Sequence, residues 1–550
     1  MVMSVTRRGA IVFASLGLAA GPQGTPAAQA LARPTATGNI AQATAVSIFA
    51  DDYPGAGDGT VAGTAALQNA FTAAQGKTLL LGVEKTYLIT SSISAPKNMT
   101  LVSNGSKLVK TTIGAWAVVT NDGFNADLLD VQTPGHATTY DQGVYVAGSN
   151  VHICHLRVVS TQGDTPGLNG VVIGNAQSVN TTARTNVRID RIEVSGFQRP
   201  VRILNLADSC ISNIDIRNFI LGVYVQNNVA NVSFPRATIS GTSPSSFAGP
   251  FSGMNGLLIE SVLDYNTYGL RFHDWTIDGA PEHSYRIGGG GAVTDITYEN
   301  CISRNPGNAP GNVSTGGAAF KALGAVGHWH SNIRYINCLA EDSNTDAAGI
   351  NNFSQFNFGF CENVALVTPV VRKRRRSYSA HVALYLNSVR HFDIVSPNFR
   401  DTKATTVFIG KDGFDNSLSG VSDIRITGGI IDTAASAAQC LLFDTKQTIT
   451  KNVYINDVIC SRGQAAWRTN VATAAGADIG MYTNVNISIH YQNAPLGNVV
   501  PPVQTGNVEV THRYQGPVYG GSMGGRNGSS YVDQRTGETR IRKAATWYLL

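Results

Sequence analysis

The lysine in the segment Ala319-Phe-Lys-Ala322 is the residue of this sequence whose type and position most suggest chemistry. Segments with the same pattern, such as Gly222-Val-Tyr-Val225, carry no charge. A lysine amine can remove a proton from a substrate if a nearby positive charge lowers its pKa. His328 and His330, in the segment His328-Trp-His330, are competing bases because imidazole titrates near neutral pH without such help.

Alternating apolar residues place a set of side chains around Lys321 in one outward-facing column. If each apolar–x–apolar segment is a strand and equivalent strands stack, neighbours in the column lie about 4.8 Å apart. The predicted column consists of Tyr224, Leu258, Arg286, Lys321, Asn351 and Tyr385. Residues that are far apart in the sequence thereby become neighbours in space.

This column suits β-elimination from a uronate sugar. Arg286 would hold the sugar carboxylate with two hydrogen bonds, which makes the proton on the adjacent carbon acidic. Lys321, or one of the two histidines, would remove that proton. Tyr385 would protonate the leaving oxygen, and Asn351 would contact the substrate. The alternative for each cation is an ordinary solvated residue on a sheet face.

Further residues are predicted to bind the substrate. The run Arg372-Lys-Arg-Arg-Arg376 is the densest cluster of charge, and it favours a polyanionic ligand. For an exported chain, an acidic polysaccharide fits this charge better than nucleic acid does. Aromatic rings can stack on the apolar faces of sugars. The predicted binding residues are Arg374, Arg375, His381, Trp329 and Trp275.

Two other functions remain open. A glycoside hydrolase needs two carboxyl groups, about 5 Å apart for retention of configuration or further for inversion. The alternative acid and base residues are Asp278, Glu282, Asp342 and Asp346. A non-catalytic protein that binds carbohydrate on a flat face is the third interpretation.

A repeated unit sets the architecture that positions these residues. A short strand that opens with a small residue is followed by a turn and a second strand, as in Gly143-Val-Tyr-Val146 and Val151-His-Ile-Cys154. Successive units begin about 22 to 35 residues apart, which is typical of a coil in a parallel β-helix. The segments Tyr298-Glu-Asn-Cys301 and Tyr335-Ile-Asn-Cys338 predict ladders of stacked asparagines and cysteines. The fold class is therefore all-β, a single-stranded parallel β-helix.

The start of the repeat region adds a resemblance. A loop at Ala50-Asp-Asp-Tyr-Pro-Gly-Ala-Gly-Asp-Gly59, an amphipathic helix at 64–74 and a strand that ends in Tyr87-Leu-Ile89 follow one another. This order resembles the start of pectate-lyase-like right-handed β-helix proteins, which include exported polysaccharide lyases and hydrolases, mannuronan epimerases and phage tailspikes. The resemblance implies a right-handed solenoid with an N-terminal capping helix, and lysine and arginine on neighbouring coils as lyase residues. It says little about the reaction itself.

Composition and cysteine spacing limit the alternatives. Charged residues make up 14% of the 550 residues and glycine occupies 58 positions, which favours an all-β chain over a helical or disordered one. The 7 cysteines mostly lie singly among β-branched residues, which indicates small buried hydrophobes. No spacing typical of structural zinc occurs, so no metal site is predicted. Loop carboxylates leave Ca²⁺ open, but no loop has its ligand spacing.

The N-terminal segment predicts export. Arg7 and Arg8 precede an apolar run and a small-residue cleavage site at Ala28-Gln-Ala30, so residues 1–30 are interpreted as a secretory signal peptide. Thr6-Arg7-Arg8 leaves the twin-arginine route open. No later segment is long and apolar enough for a membrane helix. The mature protein is expected in the periplasm or outside the cell, without membrane insertion.

The predicted β-helix catalytic domain spans residues 45–495, and residues 496–550 form a tail or a small β-module. The segment Ser530-Tyr-Val-Asp-Gln-Arg-Thr-Gly-Glu-Thr-Arg-Ile541 predicts a hairpin that turns at Thr536-Gly537. A contact between copies, as in a homotrimer, is one interpretation of this region, and a flexible tail is the other.

Overall fold

The computed structural model describes the chain from residue 47 to residue 549 with internal gaps. The described residues are 47–57, 59, 62–134, 143–161, 167–176, 182–241, 254–262, 265–307, 317–342, 354–373, 382–402, 405–410, 420–433, 439–444, 450–460, 465–470, 482–492, 508–516, 530–533, 539–543 and 546–549. The predicted signal peptide lies outside them, as do Asn351, Asp346, Arg374, Arg375 and His381.

The described residues form a 3₁₀ turn at Ala50–Asp52, one α-helix, α1 (Thr64–Ala73), and forty strands in chain order. Strands β1 to β8 are Ser47–Phe49, Thr78–Leu80, Thr86–Ile89, Ile93–Ser94, Thr100–Val102, Lys107–Lys110, Val118–Thr120 and Asn125–Thr133. Strands β9 to β20 are Val144–Val146, Val151–Ser160, Gly167–Gly174, Arg184–Thr185, Val187–Ile189, Ile192–Ser195, Phe197–Ile211, Ile214–Arg217, Val223–Ser240, Leu257–Glu260, Thr267–Asp278 and Tyr285–Gly288. Strands β21 to β32 are Val293–Glu299, Ile302–Arg304, Phe320–Leu323, His330–Ile336, Leu339–Glu341, Ser354–Val367, Val370–Arg372, Val382–Val395, Asn398–Thr402, Val407–Gly410, Val421–Thr427 and Ile430–Thr433. Strands β33 to β40 are Gln439–Asp444, Thr450–Cys460, Ala465–Asn470, Tyr482–Gln492, Val508–Gly516, Ser530–Asp533, Thr539–Lys543 and Thr546–Leu549.

Each strand of the solenoid pairs in parallel with the equivalent strand of the next coil. The strands β18, β20, β23 and the start of β26 form one such series, in which each step moves one coil along the axis. The strands β19, β21 and β24 form the second side of the same coils, and β22, β25 and β27 form the third. The fold class predicted from the repeat is confirmed.

The small residue that opens each first strand has a steric reason. A Cβ at Gly222 would lie 2.5 Å from the carbonyl oxygen of Gly256, and a Cβ at Gly256 would lie 2.4 Å from Ile277. The coils approach so closely here because backbone hydrogen bonds join them, from Val223 N–H to Gly256 O and from Leu257 N–H to Ser284 O. The repeated glycine therefore permits the tight corner at which each coil begins.

Inward-facing side chains stack into continuous columns. Phe234, Phe272, Tyr298 and Tyr335 form one stack with ring centroids 4.8, 5.2 and 4.9 Å apart. A second stack contains Tyr285, Phe320 and Phe356, at 4.7 and 4.9 Å. This burial of aromatic area, with favourable ring geometry, stabilises the centre of the solenoid.

The predicted asparagine and cysteine ladders are present. Asn337 Nδ2 donates to Asn300 Oδ1 at 3.2 Å, and Asn300 Nδ2 donates to Asp274 Oδ1 at 3.1 Å. Asn300 and Asn337 both have a left-handed backbone with φ of 53°, which asparagine tolerates better than most residues. Cys301 and Cys338 follow them and are fully buried. The turns between the second and third sides thus stack coil upon coil.

Helix α1 covers the first coil, as predicted. Its own residues Leu67, Ala70 and Phe71 are buried. Gln68 completes the exposed edge of β4, because its Nε2 donates to Ser94 O at 3.0 Å and its Oε1 accepts from Ser94 N–H at 2.8 Å. The side chain takes the hydrogen bonds that another strand would make, which protects the edge from pairing with a second chain.

The parallel stack continues beyond residue 495, where the sequence suggested a separate tail or module. β36 pairs in parallel with β37, and β37 pairs in parallel with β38. The predicted hairpin is confirmed, since β38 and β39 pair antiparallel with Ser530 opposite Ile541. β40 then adds a third antiparallel strand. Within the described residues, no helix is long and apolar enough to cross a membrane.

Candidate active site

The central feature of the site is a column of polar side chains on the outer face of β20, β23 and β26. Arg286 lies opposite Lys321 across adjacent strands, and Lys321 lies opposite Asn357. Their inward neighbours Tyr285 and Phe320 are buried, so strand alternation turns Arg286 and Lys321 outward. Both cations are partly exposed. The predicted register between them is confirmed.

The next position in the column differs from the prediction. Asn357, and not Asn351, lies between Lys321 and Tyr385. Phe356 and Phe358 of the strand Ser354–Val367 fill the core, so Asn357 between them points outward, whereas Asn351 lies outside the described residues. Asn357 is partly exposed and occupies the place in the column that was predicted for Asn351.

A buried carboxylate and a buried imidazole lie behind the two cations. Glu282 and His283 immediately precede β20, and both are buried. Glu282 Oε1 lies 3.2 Å from His283 Nε2, and Glu282 Oε2 lies 3.5 Å from a terminal nitrogen of Arg286. His283 Nε2 also lies 3.3 Å from Lys321 Nζ. These four residues form one connected cluster, which we call the cationic cluster.

His283 is neutral in this environment. Burial, together with the positive charge of Lys321, lowers its pKa to about 4 although Glu282 opposes the shift. Its Nδ1 accepts a hydrogen bond of 2.9 Å from the backbone N–H of Ala318, so the ring proton lies on Nε2. The imidazole therefore presents an N–H toward Glu282 and Lys321.

On one side of the cationic cluster, the outer face is apolar and well packed. Tyr224 and Leu258, which occupy the preceding places in the column, are buried together with Leu221. The Tyr224 hydroxyl donates to a carboxylate oxygen of Glu260. Burial, more than the contact with Glu260, raises the pKa of Tyr224 well above its usual value. The surface next to Arg286 on this side is therefore a packed apolar one.

Tyr385 and Phe408 continue the column on the other side. Tyr385 lies opposite Asn357, two strands away from Lys321 and hence about 10 Å along the sheet. Its ring packs against Phe408 with centroids 5.1 Å apart. Tyr385 is partly exposed. That its hydroxyl protonates the leaving oxygen stays a prediction.

No family model and no curated protein matches this chain. Among solved structures, the pre-mature gene product 12 of bacteriophage phi29 matches with 12% sequence identity and a TM-score of 0.50. The match covers 86% of this chain and 60% of that chain. The chain is a right-handed parallel β-helix.

Two other solved structures match this β-helix with lower TM-scores. The catalytic unit of an α-1,3-glucanase from Streptomyces thermodiastaticus has 13% identity and a TM-score of 0.41, over 84% of this chain and 69% of that chain. A tailspike protein mutant of E. coli bacteriophage HK620, in complex with a hexasaccharide, has 10% identity and a TM-score of 0.41, over 81% and 78%. Likeness at such low identity concerns the fold alone.

Two of the predicted site residues belong to the core of the β-helix. His330 faces inward opposite Cys361 and is fully buried, and this burial lowers its pKa to about 4. Trp275 is also fully buried, where its Nε1 donates to Phe234 O at 2.6 Å. The predictions of a catalytic His330 and a sugar-stacking Trp275 are therefore wrong, because neither ring reaches the surface.

His328 and Trp329 lie at a tight turn after β23. His328 is exposed, and its backbone exchanges two hydrogen bonds with Ala325, of 3.0 and 3.1 Å. The Trp329 ring packs edge-on against Phe360, with centroids 5.9 Å apart, and the guanidinium of Arg390 lies 4.3 Å from its centroid. One face of the Trp329 ring is thus already occupied by a cation.

The described alternative carboxylates have different surroundings, and Asp346 lies outside the described residues. Asp278 accepts a hydrogen bond of 2.7 Å from Asn305 Nδ2. Asp342 is buried beside the third side of the coil. The neighbouring Glu341 is held by Arg304 and Arg372, at 3.0 and 2.8 Å. Glu282 contacts Arg286, a cation of the column.

His283 is the residue that the sequence did not single out. It lies before β20, three positions before Arg286, and no periodic pattern marks it. The sequence feature that could have indicated His283 is the pair Glu282-His283, which lies just before the strand that carries Arg286.

Proposed function

We propose that this protein is an exported enzyme that cleaves an acidic, uronate-containing polysaccharide by β-elimination at the cationic cluster. The observation that supports this proposal is the placement of Arg286 directly opposite Lys321 on the outer face of the strands, with Glu282 and His283 buried behind them. A binding cation beside a basic amine is the pair of groups that uronate elimination requires.

Arg286 would bind the uronate carboxylate. Its guanidinium lies close to Gly288. A Cβ added to this glycine would be 3.5 Å from Nε of Arg286. Glu282 lies 3.5 Å from one terminal nitrogen of Arg286, and the Arg286 side chain is 24% exposed. A substrate carboxylate would bind to the exposed part of the guanidinium, and its negative charge would be neutralised where charge builds up on the adjacent carbon.

Lys321 would act as the base. Its Nζ lies 3.3 Å from Nε2 of His283, and Arg286 lies opposite it on the adjacent strand. A base must offer an uncharged amine, and a neighbouring positive charge such as that of Arg286 favours this form. His283 would position Lys321.

The bond changes balance without a cofactor. Lys321 takes the proton from C5 of the uronate, the C5 electrons form a double bond to C4, and the bond from C4 to the glycosidic oxygen breaks. The leaving oxygen takes a proton from Tyr385, which lies further along the same column. One product has a new reducing end, which carries the former glycosidic oxygen. The other product begins with an unsaturated uronate.

The preference for an acidic substrate and the location outside the cytoplasm belong to the same proposal. Arg372 and Lys373 begin the basic run that would attract a polyanion. The N-terminal segment with Arg7 and Arg8 would direct export. Assembly into a homotrimer through the C-terminal region also stays a proposal.

The test is incubation of the purified protein with a panel of acidic and neutral polysaccharides. Elimination yields a conjugated unsaturated uronate, so ultraviolet absorbance should rise with an acidic member of the panel. Release of reducing ends without this absorbance would identify a hydrolase. Retention of a polysaccharide without any cleavage would identify a binding protein, and either of these two results overturns the proposal.

A further inference from the structure

Three side chains with metal-binding atoms converge on the outer face of the N-terminal coils, away from the cationic cluster. His152 and Cys154 lie two residues apart on β10, so strand alternation points both outward. Asp190 directly follows β13 in the next coil, and Val151 and Ile153 of β10 pair with Val187 and Ile189 of β13. The three side chains therefore come from two stacked coils.

The distances among these atoms suit a single ion. His152 Nε2 lies 2.9 Å from Asp190 Oδ2 and 3.9 Å from Cys154 Sγ. All three atoms lie within 4.8 Å of one another. Tetrahedral zinc, with bonds of about 2.0 to 2.3 Å, separates its ligands by roughly 3.3 to 3.8 Å. Small side-chain rotations would bring the three atoms to that spacing.

Cys154 differs from most cysteines of this chain. Five of the seven cysteines are buried in the solenoid, whereas Cys154 and Cys210 are only half-buried. A thiol on the outer face contributes little to the core, but it is accessible to a metal. The side chains of His152 and Asp190 are 34% and 35% exposed, so an ion can enter from solvent.

The carboxylate of Asp190 is held in place by a neighbour. Arg188 Nε donates to Asp190 Oδ1 at 2.7 Å, which leaves Oδ2 directed toward His152. Partners of this kind, outside the ligand set, orient ligating carboxylates in metal sites. The donor set of one imidazole, one thiolate and one carboxylate is neutral in total when it holds a divalent ion.

We propose that His152 Nε2, Cys154 Sγ and Asp190 Oδ2 bind a zinc ion, with water at the fourth position. The ion clips two adjacent coils together on the face away from the column of Arg286 and Lys321. Binding releases the thiol proton of Cys154 to solvent, because the thiolate is the ligand form.

The test uses tag-free full-length protein, kept reduced with a non-thiol reductant and freed of metal. Titration with Co²⁺ should give one equivalent of binding and a thiolate-to-cobalt charge-transfer band. Competition with a chromophoric chelator then gives the zinc affinity. Cys154→Ser should abolish the band and weaken zinc binding at least tenfold. Cys210→Ser is the matched control, since it removes the other half-buried thiol, and it should leave both unchanged.

A second measurement does not depend on the variants. Zinc should raise the thermal unfolding midpoint of the wild-type protein, because a ligand that binds only the folded state stabilises it by mass action. Absence of stoichiometric binding, or a charge-transfer band that survives Cys154→Ser, overturns the proposal. So does a band that is lost equally in Cys210→Ser.

Discussion

Lys321 Nζ lies 3.3 Å from Nε2 of His283, although the two residues belong to different coils. The backbone N–H of Ala318 fixes the ring tautomer, so the same nitrogen carries the imidazole proton. The outer-face lysine is therefore not simply solvated, as a lone cation on a sheet usually is. It contacts a buried neutral group that is itself held by Glu282.

Replacement of Lys321 by methionine should abolish cleavage while leaving the fold intact. The methionine keeps most of the apolar length of the side chain but cannot accept a proton. Loss of a positioned base typically costs a factor of about 10² to 10⁴ in kcat. The measurement is the rate of unsaturated product formation, with circular dichroism to check folding.

The control for this variant is Lys451→Met, which removes an exposed lysine from β34 outside the column. It should retain full activity. If Lys321→Met cleaved substrate at the wild-type rate, Lys321 would not be the base.

Arg286→Lys should weaken substrate use even though the positive charge is retained. A guanidinium holds a carboxylate with two parallel hydrogen bonds, whereas an ammonium acts as a point charge. The expected loss in kcat/KM is about tenfold or more, which corresponds to roughly 1.5 kcal/mol for a lost charged hydrogen bond. Arg334→Lys, at an exposed position on β24, provides the matched control. Equal kinetics for the two variants would contradict a carboxylate-binding role for Arg286.

The register of the solenoid could be predicted because each coil repeats the same two physical requirements. A small residue is needed where backbones cross closely, as at Gly222 and Gly256, and alternate apolar residues must fill the core. These requirements were sufficient to place Arg286 beside Lys321. They also predicted the stacking of Asn300 on Asn337.

The same rule failed where one coil departs from it. In the coil of β26 the place of the small residue is taken by Gln355, which is buried, so the sequence pattern pointed to the earlier Gly349. This displaced the predicted column residue from Asn357 to Asn351. His283 could not be found at all, since residues between strands follow no period and their burial depends on the neighbouring coils.

The protein should lose stability as the pH falls from about 6.5 toward 4. Burial lowers the pKa of His330 to about 4, while an unfolded histidine titrates near 6.5. Below about pH 6.5 this histidine binds a proton in the unfolded chain, whereas in the folded protein it stays neutral until about pH 4. Falling pH therefore stabilises the unfolded state. The folded protein keeps its full stability only above about pH 6.5. For His330 the loss is about 2 to 3 kcal/mol near pH 4.5. His283, with its pKa also lowered to about 4, acts in the same direction.

His330→Leu tests this contribution through the difference in unfolding free energy between about pH 7 and about pH 4.5. The wild-type protein should lose more than the variant over this interval, by about 2 kcal/mol. The control is His328→Leu, which replaces an exposed histidine and leaves the buried His330 in place. An identical pH dependence in His330→Leu would show that His330 is not held neutral by the fold.

Asn337→Ala should destabilise the β-helix more than Asn337→Gly does. Both variants lose the hydrogen bond to Asn300 and the acceptor for the Thr368 hydroxyl. Only alanine also suffers the left-handed backbone at this position, where φ is 53°, and this strain costs roughly 1 to 2 kcal/mol. The midpoints of urea unfolding should therefore rank wild type, then glycine, then alanine. Equal midpoints for the two variants would mean that the turn can relax, and that the asparagine ladder acts through its hydrogen bonds alone.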